Sequence, residues 1–480
     1  MKRFLIQTFG CQMNVHDSRR IEEVLAADGY APTDQPELAD LILFNTCSVR
    51  EKAEHKLRSA VGTFRPLKRQ RPDTVLAVAG CMAQEHGEAL LEELDLVDVL
   101  IGPDNIPELP ALVRSVQGGA PPLARTVFDL DDPSFLHATP RTGQREVCSF
   151  VTVMKGCDER CSFCIVPHTR GAERYRPADD IVAEVAALVA GGVREITLLG
   201  QTVNSWHEPG QQSHDDESQF PALLRRIATE VPGLLRLRYT SPHPRHVTPS
   251  LVAAHRELEV LPAHVHLPVQ SGSDRLLKRM IRRYRRADYV ERARALQGAR
   301  PGFTLSTDII VGFPGETEQD FLQTLTLVEE VGFVSAFCFK YSPRPYTPAL
   351  KLGDDVSEEV KSERLSRLFE QVERQQQAHL DALVGTRTRV LFEGPSKQSP
   401  VAELPAAATA RFSGRSDRHD IVHVDVPAGF DLTGHVLEAR VTHANRHSLV
   451  GELTAAPPEE ARAPAVEELA GRTRLPVLGS

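Results

Sequence analysis

Three cysteines lie within eight residues, as Cys157-x-x-x-Cys161-x-x-Cys164. Thiolates this close on one loop can ligate three irons of a single [4Fe–4S] cube. The fourth iron then has no cysteine and is open to a substrate or cofactor, as the open position of a catalytic zinc site is. The competing reading is a zinc knuckle, with His168 as the fourth ligand. The apolar run 149–154 precedes the loop by only Lys155 and Gly156. The triplet therefore falls at the carboxyl end of an expected strand, where β/α barrels keep their active sites.

Cys11, Cys47 and Cys81 are far apart in sequence, yet each lies just beyond an apolar run: FLIQTFG, LILFNT and VLAVAG. If those runs are parallel strands, the three thiols emerge at one sheet edge, the edge where open α/β sheets bind ligands. Together they can hold a second cluster with its own open iron. The alternative is three small hydrophobes in a core, but the same placement in successive βα units speaks against it. Cys148 and Cys338 show no partner pattern and read as core residues.

Positioning these thiols falls to the flanking elements. Residues 1–143 alternate apolar runs (4–9, 41–45, 75–79 and 97–101) with helical stretches (18–27 and 85–94), which implies a parallel α/β domain. The polar, proline-containing stretch 131–145 reads as a linker. The βα rhythm resumes over 144–383, with strands expected at 149–154, 195–199, 235–239, 264–268, 305–311 and 335–341. Ile181, Val185, Leu188 and Val189 share a helix face that Gly191-Gly192 ends. Six strands with crossover helices predict an open, partial β/α barrel, followed by a polar helix over 369–383. Residues 384–455 change to short alternating runs (388–392, 421–426, 436–441 and 449–453) that predict a small all-β barrel. Residues 400–410 read as an insertion in it, and the Ala/Pro/Glu-rich residues 456–480 as a disordered tail.

The bulk numbers agree with a soluble enzyme of several domains: 480 residues, 41% hydrophobic and 25% charged. A net charge of −9 argues against a generally basic nucleic-acid binder, though not against a local basic face. The amino terminus lacks the apolar core of a secretory signal, and no run approaches the roughly 20 apolar residues that span a bilayer. The expected location is cytoplasmic, with no membrane partner. In that reducing compartment eight cysteines point to metal binding or reactivity rather than to disulfides.

Beyond the two triplets, GCQMN at 10–14, NTCSVREKAE at 45–54, GCMAQ at 80–84, LLGQTVNSW at 198–206, LPVQSGS at 267–273 and IIVGFPGET at 309–317 complete a pattern. Over about residues 2–455 the chain resembles the radical S-adenosylmethionine methylthiotransferase family. GCQMN and NTCSVREKAE resemble the branch acting on isopentenylated tRNA adenosine. A proline–lysine usually follows the first cysteine in the ribosomal-protein branch, and Gln12-Met13 stands here. The resemblance implies an amino-terminal methylthiotransferase domain, a radical barrel and a carboxy-terminal TRAM-type barrel. It implies two [4Fe–4S] clusters, on Cys157, Cys161 and Cys164 and on Cys11, Cys47 and Cys81. It also implies S-adenosylmethionine as radical source and methyl donor, with Phe163, Gly200, Gln201, Asp308 and Gly312 as candidate cofactor contacts. The implied reaction is methylthiolation of carbon 2 of N6-isopentenyladenosine at tRNA position 37. The implied partners are the anticodon stem-loop, an electron donor such as flavodoxin or ferredoxin, and a sulfur source. Other readings are a methylthiotransferase for a ribosomal protein or for threonylcarbamoyl-adenosine tRNA, and a zinc-stabilised RNA-binding protein without radical chemistry.

Gly200-Gln201 reads equally as a cofactor contact or as a tight turn. Gly312 and Gly315 could let the backbone approach a nucleoside, while Thr317 and Asp320 read as a capping box. Arg275, Lys278, Arg279, Arg282, Arg283, Arg285 and Arg286 form a basic run that could meet RNA phosphates or simply be a solvated face. Arg282, Arg283, Arg344 and Arg415 are the candidate RNA contacts. Segment 384–455 itself carries eight Lys/Arg, eight Asp/Glu and five His, so its RNA role rests on the resemblance. Tyr346 stands where the family's SPRPGTPA stretch has glycine, the residue that tolerates unusual backbone dihedrals.

Overall fold

The computed structural model describes residues 1–48, 51–128, 146–211, 218–398 and 409–462. The expected linker, most of the expected insertion and the end of the tail fall outside these residues.

Six parallel strands form the first sheet: β1 (Arg3–Phe9), β2 (Ala31–Pro32), β3 (Leu41–Thr46), β4 (Val75–Ala79), β5 (Val99–Ile101) and β6 (Leu123–Arg125), in the order β2-β1-β3-β4-β5-β6. β3 and β4 are buried along their whole length, which is why they read as unbroken apolar runs. Two helix expectations need correction. The first helix spans Gln12–Ala27 and starts well before Ser18, because the Cys11 N–H donates to the Asn14 side chain at 3.2 Å and closes the cap there. The expected helix over 85–94 is two, Cys81–His86 and Glu88–Glu93, broken at Gly87.

The second unit begins with β7 (Cys148–Thr152). A small antiparallel pair follows, β8 (Met154–Lys155) with β9 (Arg174–Tyr175). β10 (Glu195–Leu199) and β11 (Arg236–Tyr239) complete one parallel sheet with β7. β12 (His264–His266), β13 (Thr304–Val311) and β14 (Ser335–Lys340) form another. The Leu237 N–H reaches Val260 O at 2.8 Å, so the six strands follow one arc. Val151, Ile196, Leu198, Leu237, Val265, Ile309 and Cys338 face the surrounding helices in one continuous core. The opposite face carries His266, Asp308 and Phe337: His266 Nε2 lies 3.2 Å from Asp308 Oδ1, and its ring is 5.7 Å from that of Phe337. This is the inner surface of a partial β/α barrel. The expected polar helix starts earlier than 369 and spans Glu358–Ala382.

The last unit is a closed five-stranded barrel of β15 (Arg387–Pro395), β16 (Thr409–Ser416), β17 (Ile421–Pro427), β18 (Val436–Ala444) and β19 (Leu449–Leu453). β16 is not among the expected strands. It hides at the end of the stretch read as an insertion, and it is needed to close the barrel between β15 and β17. The tail is ordered further than expected. Ala461 is buried, and Asp431 N–H donates to its carbonyl at 2.6 Å.

Two seams join the units. The amino-terminal sheet bridges the ends of the partial barrel. Arg19 donates to Ser149 Oγ at 2.8 Å beside the first barrel strand, and Arg344, beyond the last, pairs with Glu54 at 2.6 Å. The small barrel packs against the other end. Arg236 there meets Asp417 at 2.8 Å and the Arg415 carbonyl at 2.6 Å, and the His264 and His419 rings stack. Among the described residues no helix is long and apolar enough to cross a membrane.

Candidate iron–sulfur and nucleoside site

Parallel register brings the first three thiols together. Phe9 lies opposite Thr46, and Asn45 opposite Ala79. Cys11, Cys47 and Cys81 therefore leave three adjacent strands at nearly one level. Their turns are locked by two buried amides, Asn14 and Asn45. Asn14 Nδ2 donates to Asn45 Oδ1 at 3.1 Å, and Asn45 Nδ2 donates to the Asn14 carbonyl at 2.8 Å and to Ser18 Oγ at 3.0 Å. Gly80 adopts φ +96°, and a Cβ there would overlap Asn45 Oδ1, so the approach of Cys81 requires glycine. Both asparagines stand inside GCQMN and NTCSVREKAE, but their reciprocal bonding is visible only once the strands are paired.

The second triplet wraps a loop pinned from three sides. Cys157 N–H donates to Gly171 O at 3.1 Å. Ser162 N–H donates to Met280 O at 3.0 Å, and Ala349 N–H to Ser162 O at 2.8 Å. Cys157 Sγ lies 3.1 Å from Thr202 Oγ1, and Arg282 Nη1 donates to Cys161 Sγ at 3.1 Å. The short helix Val166–Arg170, beginning two residues after Cys164, packs against the helix that begins at Cys81. The segments that carry the two triplets thus pack on one another across the seam between the first two units. Buried ion pairs bind that seam: Arg170 with Asp17 at 2.6 Å, Arg174 with Asp104 at 3.0 Å, and Lys155 with Asp104.

The thiols differ electrostatically. A hydrogen bond with Cys47, helped by the Arg170 guanidinium, pulls the Cys11 thiol down to about 6 against the effect of burial. Burial pushes Cys81 up, with Arg170 opposing. Burial also pushes Cys157 up to about 11 and Cys164 to about 12.

Among the described residues, the groups whose ligand atoms all lie within 4.8 Å of one another are Glu159–His243–His246 and Glu54–Glu85–His86. Neither cysteine triplet is among them. Glu159 instead has a histidine and two arginines beside it. His246 Nε2 lies 3.0 Å from it, and Arg245 and Arg283 3.9 Å, and against burial these hold its carboxyl below the ordinary value.

The remaining site residues fall as follows. Phe163 packs beside Met280, Phe313 and Tyr341. Gln201 Oε1 accepts from Gly156 N–H at 2.6 Å, so its side chain braces the loop of the second triplet. A Cβ at Gly200 would strike Met154 and Val203, which makes close packing the reason for glycine there. At Gly312, φ is +70° and a Cβ would strike the Lys361 side chain, so backbone conformation and packing both favour glycine there. Asp308 lies on the inner barrel face, partnered by His266. Thr317 and Asp320 form the expected capping box.

One member of the basic run requires correction. Arg282 is buried and turned onto Cys161, Tyr284 and the Pro268 carbonyl, so it cannot meet a phosphate. Arg275 and Arg286 are spent on Asp320 and Glu330. Arg283 keeps 44% of its side chain exposed. Arg344 is largely buried against Glu54 at the seam, and Arg415 pairs with Glu393 at 3.2 Å beside the other seam. Sequence reasoning missed Arg170, whose Nε donates to Cys81 Sγ at 3.2 Å. It also missed Phe337 and Phe339, which stay 57% and 41% exposed on β14. The alternation of SAFCFK holds that signal, with Cys338 turned to the core and the aromatics away from it.

Two family profiles match the chain: the Radical SAM superfamily over residues 151–328, and one described as Uncharacterized protein family UPF0004 over residues 3–102. The chain is 59% identical over 502 aligned positions to the tRNA-2-methylthio-N(6)-dimethylallyladenosine synthase of Sorangium cellulosum, covering 100% of this chain and 99% of that protein. It is 42% identical over 463 positions to the protein of the same name from Acidithiobacillus ferrooxidans, covering 96% and 99%. Among solved structures, the radical S-adenosylmethionine methyltransferase TsrM from Kitasatospora setae superposes with a TM-score of 0.51 at 16% identity, covering 83% of this chain and 80% of that one. That likeness concerns the fold alone.

Proposed function

The chain belongs to the radical S-adenosylmethionine tRNA-2-methylthio-N(6)-dimethylallyladenosine synthase family, and from that premise we propose that it replaces the hydrogen on carbon 2 of an N6-isopentenyladenosine in the tRNA anticodon loop with a methylthio group. The observation that carries this reading is the packing across one seam of the helix that begins at Cys81 against the helix that follows Cys164, which sets the two triplet-bearing segments side by side. In it, Cys157, Cys161 and Cys164 hold the cluster that binds S-adenosylmethionine, and Cys11, Cys47 and Cys81 hold a second. When bound, these groups supply a hydrogen-abstracting radical, a methyl group and a site for sulfur, none of which side chains provide.

The chain's own residues do the positioning. Thr202 and Arg282 fix two of the loop thiols, and Gln201 fixes the strand end before them. Asn14 and Asn45 hold the other thiols in register. Phe337 and Phe339 offer an apolar wall inside the barrel, suited to the five-carbon isopentenyl chain, while Asp308 and His266 present polar atoms beside it. A splayed loop base is the form of RNA that such a recess can take. Arg283 remains the best placed of the candidate phosphate contacts.

The test is an anaerobic assay of the reconstituted full chain with an isopentenylated anticodon stem-loop, the same stem-loop unmodified, and a ribosomal-protein peptide, read by mass spectrometry. Methylthiolation of the isopentenylated stem-loop is expected, at least tenfold faster than of the unmodified one. Turnover on the peptide alone would overturn the assignment to tRNA.

A further inference from the structure

Arg170 belongs to the second unit, at the end of the helix that follows Cys164, yet its side chain is spent on the first. Its Nε donates to Cys81 Sγ at 3.2 Å, and its Nη2 to Asp17 Oδ2 at 2.6 Å. Asp17 lies on the helix that Cys11 caps. Both side chains are at least 98% buried. Such a pair loses much of its hydration, and a structural ion pair alone would satisfy its remaining donors nearby. Here Arg170 Nη1 is buried and has no hydrogen-bond partner among the described residues. An orphaned guanidinium nitrogen beside a thiol calls for a further acceptor.

We propose that Arg170 is a positioning residue for the cluster on Cys11, Cys47 and Cys81, donated across the seam so that this site is complete only when the two units are docked. The proposal rests on the reading that these cysteines hold a cluster. Net charge and hydrogen bonds to the sulfurs set the potential of such a cluster. A fixed cation at Cys81 favours the more negative, reduced state and raises the potential. Arg170 also ties the second site mechanically to the loop of the first. It ends the short helix that begins two residues after Cys164, and its neighbour Thr169 is buried with it.

The experiment uses the full chain, reconstituted anaerobically. Arg170→Gln alone leaves Asp17 buried without its partner, so it is compared with the double substitution Arg170→Gln/Asp17→Asn and with Arg170→Lys. Iron and sulfide per chain, and an electron paramagnetic resonance redox titration of each cluster, are the readouts. In the double variant the second cluster is expected to shift to a more negative potential or to be lost with half of the iron. The signal of the Cys157–Cys164 loop should stay unchanged, and Lys should restore part of the shift. Unchanged potentials and iron content would overturn the proposal, and so would loss of both clusters with a collapse of the thermal midpoint. The Cys11→Ala/Cys47→Ala/Cys81→Ala chain separates the two levels. If it keeps both clusters, the two-cluster reading itself fails. If it loses one while the Arg170 variants behave as the parent, only this inference fails.

Discussion

Arg282 Nη1 stands 3.1 Å from Cys161 Sγ, inside a run of arginines that the sequence presents as a basic surface. Two neighbours, Arg282 and Arg283, therefore have separable roles. Arg282→Gln should reduce the iron held by the Cys157–Cys164 loop and suppress 5′-deoxyadenosine formation, with stem-loop affinity little changed. Arg283→Gln should leave iron in place and weaken stem-loop binding, with a salt dependence shallower by roughly 0.7–0.9 in log–log slope if one phosphate contact is lost. Equal effects of the two substitutions on iron would refute the division.

The two triplets should fail in different ways. Replacing Cys157, Cys161 and Cys164 with Ala should abolish 5′-deoxyadenosine formation and leave one cluster bound. Replacing Cys11, Cys47 and Cys81 should preserve reductive cleavage of S-adenosylmethionine and stop methylthiolation. Methylthiolated product from the latter chain, seen by nucleoside mass spectrometry, would contradict the assignment.

Phe337 and Phe339 should discriminate the isopentenyl group. Burying a few methylene equivalents is worth about 0.8 kcal/mol each, so the Phe337→Ser/Phe339→Ser chain should lose on the order of 10- to 100-fold in kcat/KM for the isopentenylated stem-loop. Its rate on the unmodified stem-loop should hardly move. A parallel loss on both substrates would assign these rings to something other than the isopentenyl chain.

Tyr346 holds φ +65° and is 66% exposed, with its ring 5.5 Å from the His168 ring. The backbone keeps the left-handed conformation even though the residue is not glycine, at about 1 kcal/mol of strain. Tyr346→Gly should therefore leave the thermal midpoint no lower. If the ring stacks a loop base, worth about 1–3 kcal/mol, stem-loop affinity should fall at least several-fold. Unaltered affinity would leave the strain without a binding role.

Burial lowers the pKa of His255 to about 3, with its Nε2 against Tyr239 OH at 2.6 Å. The unfolded chain takes up this proton near pH 6.5, and the folded chain only near pH 3. Stability is therefore lost as pH falls through that window and is flat above it, by about 2 kcal/mol between pH 7 and pH 5 from this group. Thermal unfolding of the parent and of His255→Phe at both pH values should show a smaller acid loss in the variant. Identical acid losses would exclude His255 as a source.

Much of this molecule is written in local order. Runs such as LILF at 41–44 and VLAVA at 75–79 are apolar throughout because both faces of their strands are covered, and that points to a parallel sheet with cysteines just beyond its strands. The eight-residue loop from Cys157 to Cys164 suggests a metal site because its three thiols are neighbours in the chain. What the sequence could not convey depends on contacts between distant segments. A basic run looks the same whether its arginines face water or a thiol, and only the packing of the 280s against Ser162 turns Arg282 inward. Arg170 is 89 residues from Cys81, and only the docking of two units brings them together. Strand β16 carries weak alternation and is fixed by pairing on both sides. Burial and long-range hydrogen bonding belong to the assembled chain, and they decide which charged side chains serve the interior and which remain at the surface.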